Sequence, residues 1–322
     1  FMQPANSAKR TREAVILNSS SVNRADYDFT VSKDGTGDFK TLQEAINAIP
    51  DYRRQVTSVF IKNGTYKEKI IIPESKQNIV FTGQDSAAVI ITYDDYASRL
   101  NSLGEAMGTS GSAGFYIYGI NITFKHITFL NSAGPVGQAV AVLVAGDCIQ
   151  FIGCRFLGNQ DTLYTYGKKS RQYYLNCYIE GTVDFIFGAS TALFDRCTIY
   201  GKGKGYYTAA ATPEGQDFGY VFRHCQITGS GEPGRFKLGR PWRPYAKTVY
   251  LYCQMDGLVA PAGWDNWQNE ANEKTVYYGE YKNLGPGSAL DKRVCWSKQL
   301  SSVEAATYTI ENIFGDWTPV SN

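Results

Sequence analysis

Five segments of this chain share one six-residue form, and their spacing limits the fold more than any other feature. Each reads x-Cys-x-apolar-x-Gly: Gly153 to Gly158, Asn176 to Gly181, Arg196 to Gly201, His224 to Gly229 and Tyr252 to Gly257. An earlier variant, His126 to Asn131, has Ile127 in the cysteine slot and Asn131 in the glycine slot. Successive slots lie 27, 23, 20, 28 and 28 residues apart. A repeat of this length, built from short β-type runs, predicts a parallel β-helix, in which every coil adds one strand to the same sheets and equivalent side chains stack. Parallel crossovers are right-handed. Leucine-rich repeats have a similar period, but their Leu-x-x-Leu-x-Leu pattern is absent, and branched and aromatic residues dominate.

The ends of the chain depart from the repeat. Residues 1–26 are polar and unpatterned, reading as a flexible lead-in, with a single β-helix domain expected over 27–322. Leu42, Ala45, Ile46 and Ile49 fall at helical spacing, with Thr41 and Glu44 forming a capping box and Pro50 as the stop. This predicts a short N-terminal capping helix. Strand-like runs follow at Ser58–Ile61, Lys69–Ile72, Ile79–Phe81 and Ala88–Ile91, and the residues after the last repeat are expected to flank the helix. The fold class is therefore all-β, a right-handed parallel β-helix with a short capping helix and C-terminal flanking segments. In such coils the cysteines serve as small inward ladder residues. Seven cysteines leave at least one thiol unpaired within the chain.

Several chemistries are excluded by what the chain lacks. Thirty-two basic against 30 acidic side chains give a net charge of +2, too little for a nucleic-acid binder. Only His126 and His224 are present, which disfavours a histidine-ligated metal or a Ser-His-Asp hydrolase. No apolar run approaches the roughly 20 residues of a membrane span. The chain starts at Phe1 without a charged n-region and apolar h-region, so any signal peptide has been removed or was never present, and export is inferred from function.

The repeat also makes a prediction about acids. Asp161 lies seven residues after Cys154, and Asp184 lies seven after Cys177. In stacked coils the two carboxylates would lie roughly 5 Å apart, the spacing of paired strands. At that distance like charges repel, so one acid keeps its proton while the other ionises. An acid beside a base or nucleophile results. Gln160 adjoins Asp161, and Gln138 lies about one coil earlier; such amides suit an oxyanion hole. In Leu238 to Arg243, Arg240 is placed to hold one aspartate ionised, with Trp242 to stack on a sugar.

At these residues the sequence resembles the pectin methylesterases. Gly64-Thr65-Tyr66-Lys67-Glu68 fits the family's G-x-Y-x-E, Gln138-Ala139-Val140-Ala141 its QAVA, and Gln160-Asp161-Thr162-Leu163-Tyr164 its QDTLY. Gly181 to Gly188 and Leu238 to Trp242 fit two more motifs, and similarity runs from about Asp34 to Trp317. The resemblance implies hydrolysis of galacturonosyl methyl esters in pectin, with Asp184 as nucleophile, Asp161 as acid and then base, Gln160 and Gln138 at the oxyanion, and Arg240 orienting Asp184. It also implies substrate contacts at Thr109, Gln138, Tyr164, Phe187, Arg240 and Trp242. No cofactor or metal is implied, and the expected partner is methyl-esterified homogalacturonan, met by a secreted or periplasmic monomer with no nucleic-acid or membrane partner. Gly114 stands where a threonine is common, and Cys177 and Cys197 match positions that pair as a disulfide in some relatives.

Three rivals share the architecture. A polygalacturonase-like glycoside hydrolase would carry Asn-Thr-Asp and Gly-His-Gly motifs, which are absent. A pectate lyase needs an acidic calcium cluster, unlike the isolated Asp161 and Asp184. A catalytically inactive pectin-binding β-helix is opposed by the presence of Gln138, Gln160, Asp161, Asp184 and Arg240 together.

Overall fold

The computed structural model describes residues 26–320, and the expected lead-in lies outside these residues except for Asp26. Three sheets of eleven, eight and seven strands run along the molecule, and the chain visits them in turn. One coil takes Ile149–Ile152 in the eleven-stranded sheet, Arg155–Leu157 in the eight-stranded sheet and Leu163–Thr165 in the seven-stranded sheet. Arg171–Leu175 then pairs in parallel beside Ile149–Ile152, and the next coil begins. This is the right-handed parallel β-helix that the repeat predicts.

The repeat's own residues build the corner between the first two of these strands. Its opening residue adopts the left-handed conformation in every copy, with φ of 59° at Gly153, 52° at Asn176, 52° at Arg196, 54° at His224 and 55° at Tyr252. Glycine and asparagine take that conformation cheaply, whereas Arg196, His224 and Tyr252 do so against their preference. The bend turns the following cysteine inward. Cys154, Cys177, Cys197, Cys225 and Cys253 are all buried, each with its sulfur near a carbonyl of the preceding coil, as Cys177 Sγ is to Phe151 O at 3.5 Å. All seven cysteines are free thiols, so the Cys177–Cys197 disulfide is not formed. In-register side chains project in the same direction, and each sulfur meets backbone rather than its counterpart.

Three residues before each slot stands an aromatic ring, a regularity the sequence reading did not use. Phe81, Phe124, Phe151, Tyr174, Phe194, Phe222 and Tyr250 form a continuous internal stack with centroids 4.5–5.1 Å apart and planes within 12°. Each such contact contributes about 0.5–1.5 kcal/mol beyond area burial.

Among the described residues, four α-helices accompany the coils: α1 (Leu42–Ala48), α2 (Gly108–Gly111), α3 (Ser302–Ala306) and α4 (Ile310–Phe314). The capping box on α1 is formed as expected. Glu68, from the first of the resemblance motifs, also accepts hydrogen bonds from the Leu42 and Gln43 amides, so this motif secures the capping helix rather than the chemistry. Ile313 and Phe314 pack with Leu175, Leu193 and Val221 on the outer face of the eleven-stranded sheet. The outer face of the seven-stranded sheet carries the cleft.

Candidate active site

Register in the seven-stranded sheet assembles the site. Leu163 pairs with Ile186 and Tyr164 with Phe187; Phe187 pairs in turn with Ala209, and Ala209 with Arg240. Asp161 and Asp184 each stand two residues before a paired residue and so occupy the same place in adjacent coils. By strict alternation they would face inward with Leu163 and Ile186. Both instead adopt left-handed backbone, φ 64° at Asp161 and 53° at Asp184, which breaks the alternation and brings both carboxylates into the outer cleft. Gln138 and Gln160 bridge adjacent coils just before them, and both line the same cleft. Among the described residues neither carboxamide has a hydrogen-bond partner, so their donors remain available to a ligand.

Charge is arranged asymmetrically across the pair. Arg240 donates to Asp184 through both edges of a fork, Nε to Oδ1 at 2.9 Å and Nη2 to Oδ2 at 2.7 Å. The guanidinium is held flat between Tyr206, at 4.0 Å to the ring centre, and Trp267, at 3.8 Å. Asp161 has no such fork. Burial, reinforced by the neighbouring Asp184 charge and only partly offset by Arg240, pushes its carboxyl up to about 8. Burial raises Asp184 as well, but the Arg240 hydrogen bonds and charge oppose that rise. Of the pair, Asp184 is therefore the more readily ionised member, and Asp161 holds its proton up to about 8.

The cleft that holds them encloses about 250 Å³ and is lined by Thr109, Gln138, Gln160, Phe187, Trp242 and Trp267 together with the acids and Arg240. A forked carboxylate, a second carboxyl that holds its proton and two carboxamides unpaired among the described residues are groups suited to acid–base and nucleophilic chemistry. A family model described as Pectinesterase matches residues 28–316. The chain belongs to the pectinesterase family. Pectinesterase 31 of Arabidopsis thaliana is 40% identical over 284 residues, covering 86% of this chain and 89% of that protein. Among solved structures, the pectin methylesterase from carrot is 34% identical with a TM-score of 0.83, covering 91% of this chain and 94% of its own. A pectin methylesterase solved in complex with a hexasaccharide is 30% identical with a TM-score of 0.82, covering 92% and 99%.

Most residues expected from the sequence meet in this pectinesterase cleft. Thr109 is carried on α2, where Ser112 Oγ donates to Thr109 O at 2.7 Å and accepts from the Val140 amide at 3.1 Å. Gly114 is required by packing, since a side chain there would meet the Tyr93 Cβ at 2.9 Å. Tyr164 stands one step back. Its ring stacks on Phe187 at 4.2 Å and meets Trp242 edge-on at 6.0 Å, supporting the two aromatic walls rather than lining the cleft. Sequence reasoning missed Tyr206 and Trp267, the two rings that clamp Arg240. A signal was available for Trp267, which lies 25 residues after Trp242, close to one repeat.

Proposed function

We propose that this pectinesterase hydrolyses the methyl esters of galacturonosyl residues in pectin, with Asp184 as nucleophile. Asp184 attacks the ester carbonyl while the Gln160 and Gln138 amides donate to the developing oxyanion. Asp161 gives its proton to the departing methoxide, leaving an anhydride between Asp184 and the sugar carboxyl. Asp161, now ionised, takes a proton from water, which attacks the anhydride and releases the free acid. Arg240 keeps Asp184 ionised and aimed, while Phe187 and Trp242 offer flat faces to the sugar rings. The observation that carries this reading is the two-point fork of Arg240 on one aspartate beside a second, unforked and protonated one.

The matched solved enzyme with a bound hexasaccharide supports an oligosaccharide ligand of the same kind here. The substrate places the action outside the cytoplasm, in an extracellular or periplasmic space. A β-helix whose first coil is covered by α1 has no evident need of a partner subunit, and we expect a monomer. Methanol release from methyl-esterified polygalacturonan tests the activity. The Asp184→Asn variant is expected to lose at least about 10³-fold in kcat while still binding pectin. Turnover retained in that variant would exclude Asp184 as nucleophile.

A further inference from the structure

The two rings on Arg240 are held in different ways. Tyr206 lies on the strand Gly205–Ala210 and pairs with Lys237 on Phe236–Pro241, the strand that carries Arg240. Trp267 lies in a turn. Trp264 still bridges Gly239, and the Asp265 amide donates to Gly239 O at 3.1 Å, so the chain leaves the sheet just before the indole. Trp267 and Gln268 then take left-handed backbone in succession, with φ of 59° and 55°. Neither is glycine, so the turn is held against their preference.

The Asp265 side chain holds it. Its Oδ1 accepts from the Trp267 amide at 2.7 Å, the one hydrogen bond that Trp267 makes among the described residues. Its Oδ2 is paired with Lys237 Nζ, and that ammonium lies 5.8 Å from the centre of the Tyr206 ring. One carboxylate therefore ties the Trp267 turn to the strand of Arg240. Other bonds fix the neighbours of Trp267 without reaching its own amide: Asn272 Nδ2 donates to Asn266 O at 3.0 Å, and Asn266 Nδ2 to Glu273 Oε1 at 2.8 Å.

Resting on the esterase reading above, we propose that Asp265 is a positioning residue for the reaction: by binding the Trp267 amide it lays the indole on the Arg240 guanidinium, and so keeps the Arg240 fork aimed at Asp184. Asp265 lies outside the lining of the cleft and acts through Trp267. What it supplies is an acceptor, because its charge works the other way. Arg240 favours the ionised form of Asp184, the Asp265 carboxylate opposes it, and Asp161 stays neutral up to about 8. A carboxylate placed there for its charge alone would hinder the nucleophile.

The experiment compares wild type with Asp265→Ala, which removes acceptor and charge, and Asp265→Asn, which removes the charge and keeps an oxygen that can accept from the Trp267 amide. Methanol release from methyl-esterified homogalacturonan is followed across pH. Asp265→Ala is expected to lose about 10- to 100-fold in kcat, with a smaller change in KM. Asp265→Asn should restore kcat to within about threefold of wild type. The acid limb of kcat/KM separates the two roles by sign. With the fork loosened, Asp184 ionises less readily, so the limb moves to higher pH in Asp265→Ala; with the fork intact and the carboxylate gone, it moves to lower pH in Asp265→Asn. No loss in Asp265→Ala, equal losses in both variants, limbs that move together, or a rise in KM with kcat unchanged would overturn the assignment. Hydrogen exchange over residues 265–269 tests the contact without turnover: faster exchange in Asp265→Ala and wild-type exchange in Asp265→Asn are expected, and unchanged exchange in Asp265→Ala counts against it. A wild-type protein that releases no methanol would defeat the esterase reading itself, while the exchange measurement would still report on Asp265.

Discussion

At the scale of single residues, the site depends on two carboxyls of the same type being made unlike. The Arg240 fork distinguishes them, and its own orientation is set by Tyr206 and Trp267 rather than by another charge. The pH dependence follows. Asp161 must be protonated to act as an acid, so kcat/KM should fall as pH rises through about 8, with a lower limb set by ionisation of Asp184. The profile reports the pair, because the two groups interact. Stability responds to the same acid in a defined direction. A carboxyl at 3.8 in the unfolded chain and about 8 in the fold binds more protons when folded, so its burial becomes increasingly destabilising between those values as pH rises. Asp161→Asn should therefore raise Tm at pH 8 and change it little at pH 4, as followed by calorimetry. A stabilisation that did not grow with pH would show that Asp161 is not the group held protonated.

At the scale of the coil, the cysteine slot and the aromatic ring three residues before it form parallel internal columns. Both were recoverable from spacing. The cysteine column was read as small apolar packing, and the buried thiols agree; the aromatic column went unread, although Phe151, Tyr174, Phe194, Phe222 and Tyr250 keep a constant offset from their cysteines. The disulfide between Cys177 and Cys197, which their short interval allowed and the resemblance suggested, is absent here. Seven thiols should titrate in denaturant without reductant, and five if that bridge forms. The corner ahead of each cysteine was less legible. Gly153 and Asn176 announce a left-handed bend, but Arg196, His224 and Tyr252 do not, and only the stacking of coils holds them there.

At the scale of the whole molecule, the C-terminal segment binds the outer face of one sheet and leaves another free for substrate. Arg171 is the main polar tie. It donates to Asp147 at 2.7 Å and to Phe314 O at 2.8 Å, and it pairs with Asp316. Arg171→Ala should lower stability by about 1–2 kcal/mol and speed amide exchange over residues 302–320. Turnover should be retained, because the cleft lies on a different sheet; an equal loss of activity would show that the two faces are coupled. The sequence by itself determined the β-helix, its register and the stacking of Asp161 on Asp184, because a fixed offset in a repeated coil is already a spatial statement. Only the tertiary structure decided which way those carboxylates point, since left-handed backbone at two aspartates overrides the alternation of a strand. It alone also brought Tyr206, from the strand paired beside that of Arg240, and Trp267, from the segment after the last repeat copy, onto the guanidinium, because that contact depends on loop lengths that vary from coil to coil.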